Sequence, residues 1–164
     1  METNYNPEGK WSVDSVKAKY WALSLSLGGV FGFEPEPKRY TNKNGATWVY
    51  NIMDSVIDGV KLGDSACVQI SIEYIQDNVM HSTTGYIRAS MARSLRNAEL
   101  TKKQKVTLAG IFLKQLESGL IYREFKEYCR LFKRIGVEPY RQEIEKYNKS
   151  HKQYIRHAAS RLLA

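Results

Sequence analysis

Apolar residues recur at steps of three and four along most of this 164-residue chain, a period that predicts helices. The clearest run lies between Gly119 and Gly136. There Leu120 or Ile121, Phe125, Cys129 with Tyr128, Phe132 and Ile135 form one apolar stripe, with no breaker across sixteen residues. Arg123, Lys126, Arg130 and Lys133 recur at +3, +4 and +3 and form a second, cationic stripe. Glu127 stands four residues after Arg123 and three before Arg130, within pairing distance of either on a helix. The apolar stripe requires a core, and the basic stripe faces water or a partner.

The same reading extends in both directions. Residues 1–11, with Asn4, Asn6, Pro7 and Gly9, read as a loose lead-in. Ser12 is placed to cap a helix in which Val13, Val16, Tyr20, Leu23, Leu27 and Val30 line one side. Trp21 and Leu25 widen that stripe, so the helix is expected to be well buried. Gly28, Gly29 and Gly32 end it. Pro35 and Pro37 make residues 34–44 a stiff, then polar, connection, the segment best suited to a mobile or functional loop. Asn44–Gly45 is read as opening the next helix, with Trp48 or Val49, Ile52, Met53, Val56, Ile57 and Val60 on its apolar face and Gly59 as an interior weakness. Gly63 closes it, and Asp64 caps the next.

Residues 65–77 are ambiguous. Val68, Ile70, Ile72 and Tyr74 alternate with polar residues as a strand would, whereas Ala66, Cys67, Ile70 and Tyr74 fit a helix. A lone strand leaves its backbone unpaired, so helix is expected. After a polar turn at 78–84, a helix over 85–97 places Ile87, Met91, Leu95 and the following Ala98 inside, with Arg88, Arg93 and Arg96 mostly outside. Thr101 with Gln104 is a capping box. The helix it starts runs to Ser118, with Val106, Ala109, Leu113 and Leu116 inward. Pro139 restarts a helix after Gly136, and Tyr140, Ile144, Tyr147, His151, Tyr154, Ala158 and Leu162 predict one long helix over 139–163. The sum is an all-α fold, a single domain over 1–164 of six to eight antiparallel helices, as a bundle or as short stacked hairpins.

Charge alters this picture more than composition does. Residues 1–82 carry 7 Lys and Arg against 10 Asp and Glu, a net of −3, and residues 83–164 carry 18 against 7, a net of +11. Such asymmetry points to an acidic partner for the second half. Two cysteines, Cys67 and Cys129, both among apolar residues, make no disulfide framework and imply a reducing compartment. No run reaches the length of a membrane span, and the polar start is not a signal peptide. A soluble cytoplasmic protein is expected.

No catalytic signature emerges. The glycines at 28, 29 and 32 end a helix rather than begin one, so they do not form a phosphate-cradling loop. His151 and His157 fall on different faces of a helix and cannot share a metal, and His81 is the remaining candidate base for either cysteine. The acid pairs Asp54 with Asp58 and Glu124 with Glu127 have the spacing of ordinary solvated faces. We therefore expect no cofactor, no metal, no small-molecule substrate and no enzymatic activity.

Cations spaced to meet phosphates, with aromatics nearby, suit nucleic acid. Arg88, Arg93, Arg96, Lys102, Lys103 and Lys105 make one cluster, and Arg123, Lys126, Arg130, Lys133 and Arg134 another. Tyr140, Tyr147 and Tyr154 are the aromatics of the last helix, although a tyrosine stripe more often packs on its own domain. The expected function is a helical binding module whose basic half engages nucleic acid through its phosphates. The alternative is a protein-interaction adaptor using the same surface.

Overall fold

The computed structural model describes residues 1–79 and 84–164, so His81 and most of the turn expected at 78–84 lie outside the described residues. Helix dominates: α1 (Val13–Leu27), α2 (Ile52–Lys61), α3 (Ser65–Asp77), α4 (Thr84–Leu95), α5 (Lys102–Ser118), α6 (Phe125–Ile135), α7 (Arg141–Glu145) and α8 (Gln153–Leu163). Three short strands, β1 (Glu2–Asn4), β2 (Arg39–Thr41) and β3 (Thr47–Val49), form a small sheet, so the fold is not strictly all-α. Contacts group the chain into two compact units, Met1–Glu73 and Tyr74–Ala164.

In the first unit β3 is the central strand, parallel to β1 and antiparallel to β2. The β2–β3 hairpin turns at Asn42–Ala46. The Asn42 side-chain oxygen accepts from the backbone N–H of Asn44 (2.9 Å) and Ala46 (3.0 Å), and Gly45 takes the left-handed conformation at φ +80°. Tyr40 and Trp48 stand opposite each other and stack at 5.9 Å, and the Thr41 and Thr47 hydroxyls meet at 2.8 Å. Residues 1–11 and 34–44 are thus not lead-in and loop alone, because each supplies a strand. The helix expected from Asn44 starts eight residues later, at Ile52, with Asn51 as its cap accepting from the Met53 N–H at 2.9 Å.

Helix α1 buries Val16 and Tyr20 but not its second half. Trp21 is 53% exposed and Leu25 90%, which corrects the expectation that these two residues widen the buried stripe of a well-buried helix. Asp64 is the polar node of this unit. One of its carboxylate oxygens accepts from the Tyr20 hydroxyl (2.7 Å) and the Val30 N–H (2.9 Å), and the other caps α3 at the Cys67 N–H (3.0 Å). Burial and the adjacent carboxylate push the Tyr20 hydroxyl pKa well up. Gly59 is a contact point rather than a weakness, since a Cβ there would fall 2.3 Å from the Cys67 sulfur. Residues 65–77 are helical as expected.

In the second unit α6 is central and packs on α4, α5 and α8. Phe125, Tyr128, Cys129 and Phe132 are fully buried, and Phe112 of α5 stacks on Tyr128 at 4.9 Å. The helix is shorter than its stripe: Gly119 ends α5 in the left-handed region at φ +71°, Leu120 is exposed, and α6 begins only at Phe125. The capping box at Thr101 and Gln104 is present. Val106, expected inside, is exposed.

The single helix expected over 139–163 is broken. A 3-10 turn at Glu138–Tyr140 leads into α7, a second at Lys146–Lys149 follows, and Ser150 is extended before α8. Residues 148–152 are all polar and give no apolar reason to continue the helix. The Ser150 hydroxyl accepts from the Lys152 N–H at 3.2 Å, and its carbonyl accepts from Arg156 at 2.6 Å. The break lets α8 fold back on α7 and bury Ile155, Ala158, Ala159 and Leu162.

Candidate nucleic-acid interface

Most of the candidate arginines, with Lys126, fall into three overlapping environments. Arg88, expected on the surface, is 2% exposed on the inward side of α4. Its Nε and Nη2 donate to Glu124 Oε1 at 3.2 and 2.6 Å, and Nη1 donates to the Val79 carbonyl. The reason is packing geometry: Arg88 follows Ile87 and precedes Met91 on the face that α4 lays against α6, and a buried guanidinium requires a carboxylate opposite. It is an internal ion pair, closed to phosphate in this arrangement.

A second group surrounds Glu127, whose side chain is 10% exposed. Arg130 donates to Glu127 Oε1 at 2.7 Å. Arg93 and Arg96 approach Oε2 at 3.9 and 3.8 Å, too far for hydrogen bonds but close enough for strong attraction. One carboxylate thus faces three guanidiniums, so much of their charge remains for a ligand. Sequence spacing explains the meeting: Arg93 lies in the last turn of α4 and Arg96 three residues on, just past the helix end, and Glu127 and Arg130 are three apart on α6.

The third environment is a groove of about 620 Å³ in the same unit. Tyr86, Ala89 and Arg93 line it from α4; Tyr122, Arg123 and Lys126 line it from the turn before α6 and that helix's start. The buried Arg88–Glu124 pair and Glu127 form its floor. Arg93, Arg123 and Lys126 are exposed, so the rim carries three solvent-facing cations above the internally paired Arg88 and Glu124. The two clusters assigned from sequence therefore converge here in part.

The remaining candidates lie elsewhere. Lys102 and Lys103 are exposed in the first turn of α5 and do not line the groove, nor does Lys133 near the end of α6. Tyr140 packs edge-on against Phe132 at 5.5 Å, as an internal aromatic does. The groove's own aromatics, Tyr86 and Tyr122, escaped the sequence reading. Tyr86 sits at a non-core position of its helix and Tyr122 before the true start of α6, where a helical stripe carries no information.

Both cysteines are free and buried. Burial pushes the Cys129 thiol up to about 12 and the Cys67 thiol higher still, so neither is an activated nucleophile. Among the described residues no group of three His, Cys, Asp or Glu could hold a metal ion, and no helix is long and apolar enough to cross a membrane. No family model, curated protein or solved structure matches the chain.

Proposed function

We propose that the chain is a non-enzymatic binding module whose 74–164 unit engages nucleic acid through its phosphates. The observation that carries this reading is the convergence of Arg93, Arg123 and Lys126 on one groove, with Arg96 and Arg130 beside them around Glu127. Five cations on one face suit a polyanion, and guanidiniums present forked donors matched to phosphate oxygens. An acidic protein surface is the rival ligand for the same face.

The two readings separate by salt. Each phosphate neutralised releases counterions, so log affinity falls linearly with log salt. Replacing Arg93, Arg123 and Lys126 together by Gln is expected to weaken binding to an oligonucleotide and to flatten that line by roughly two to three units, about 0.7–0.9 per lost contact. Helix content by circular dichroism is expected to be unchanged, because exposed charges add little stability. A wild type whose oligonucleotide affinity is insensitive to salt would remove nucleic acid as the ligand and leave the acidic protein.

A further inference from the structure

We infer that the groove between α4 and α6 takes an unpaired base, so that the nucleic acid held by this unit is single-stranded. This rests on the nucleic-acid reading above and goes further by naming the form of the ligand. The carrying observation is the pairing of two kinds of side chain in one concave site. Tyr86 is 72% exposed on the groove wall, with Tyr122 half-buried beside it, and Arg93, Arg123 and Lys126 stand on the same rim. A volume of about 620 Å³ lies within the roughly 300–1,000 Å³ of pockets that enclose a small organic ligand, so a base has room to enter.

Duplex does not fit this arrangement as well. In a duplex the base faces are covered by their stacked neighbours, and only phosphates, sugars and base edges are presented. A phosphate surface gains nothing from an aromatic wall. An unpaired strand offers both a π-face for a tyrosine and a phosphate on either side of the base for the rim cations. Glu124 is held by Arg88, and the single charge of Glu127 is shared among Arg93, Arg96 and Arg130, so this face keeps a net positive charge. The carboxylates therefore do not cancel the attraction of the rim. Stacking tolerates every base, so the site is expected to prefer strand form over sequence.

The test uses the full chain and two probes, a fluorescent oligothymidylate of about 12 nucleotides and a duplex of equal length, compared at one common salt concentration and then titrated across a salt series. The expected result is tighter binding of the single strand. Tyr86→Leu, at an exposed position where the fold does not depend on the ring, is expected to weaken single-strand binding by roughly 5- to 150-fold. Its duplex affinity and the salt slope of its single-strand binding are expected to stay as in the wild type, and Tyr86→Phe is expected to retain single-strand affinity. Equal affinity for the two probes, or a Tyr86→Leu variant that binds the single strand like wild type, overturns the stacked-base inference while leaving phosphate binding intact. Absence of salt-dependent binding to either probe overturns the inference and the nucleic-acid reading together.

Discussion

At the scale of single residues, the Arg88–Glu124 pair sets the stability of the groove's floor. Both side chains are almost completely buried, 2% and 4% exposed, so each requires the other. Glu124→Ala leaves a guanidinium without its carboxylate in the interior, and the expected loss is about 3–5 kcal/mol in urea unfolding. A loss below about 1 kcal/mol would mean that water or another acceptor already satisfies Arg88. The cysteines make a second residue-scale prediction. The folded Cys129 pKa is raised to about 12, so its thiol stays neutral at mildly alkaline pH. Its contribution to stability is full below the ordinary thiol pKa and is lost as pH climbs towards about 12. Cys67 is shifted in the same direction. Neither thiol is expected to react with a maleimide in the folded chain at mildly alkaline pH, and both are expected to react in urea. Rapid labelling of the native chain would contradict the burial.

At the scale of elements, what was legible is what periodicity can encode. Helix α6 shows its core stripe outright, and α3 is favoured over a strand because a lone strand leaves its backbone unpaired. The sheet was not legible from alternation, since three-residue strands are too short to show it. Its signal was local instead: Asn44–Gly45 between Tyr40–Thr41 and Thr47–Trp48 is a hairpin turn between β-formers, and it was read as a helix start. The broken C-terminal helix failed for the opposite reason. The spacing from Tyr147 to Tyr154 keeps a helical period across residues 148–152, but those five residues are all polar, and there Ser150 holds the backbone in a different arrangement. Of the candidate site, the cationic rim was legible and the burial of Arg88 was not, because a helical stripe does not say which charged residue finds a partner inside. Helix α6 is also where packing is most exacting. Phe132 is fully buried and touches the rings of Phe112 and Tyr140. Phe132→Ala is expected to cost about 3–5 kcal/mol by urea unfolding, and a smaller loss would show that α5 and α8 close over the gap.

At the scale of the whole molecule, the question is whether charge acts as a field or as a site. Residues 74–164 carry 18 Lys and Arg against 8 Asp and Glu, a net of +10, and any such surface attracts polyanions to some degree. A field depends on the number of cations, whereas a site depends on where they stand. Lys102, Lys103 and Lys133 are exposed cations of this same unit that do not line the groove, and Arg93, Arg123 and Lys126 are three that do. Changing either trio to Gln removes the same net charge. If the groove is the site, the groove trio is expected to lose at least about tenfold more single-strand affinity than the off-groove trio, measured by anisotropy at one ionic strength near 0.15 M. Both variants should keep the wild-type unfolding free energy within about 0.5 kcal/mol, because all six side chains are exposed. Equal losses from the two trios would show that the basic half binds polyanions as a diffuse field, with the groove no more than a fold in a positive surface.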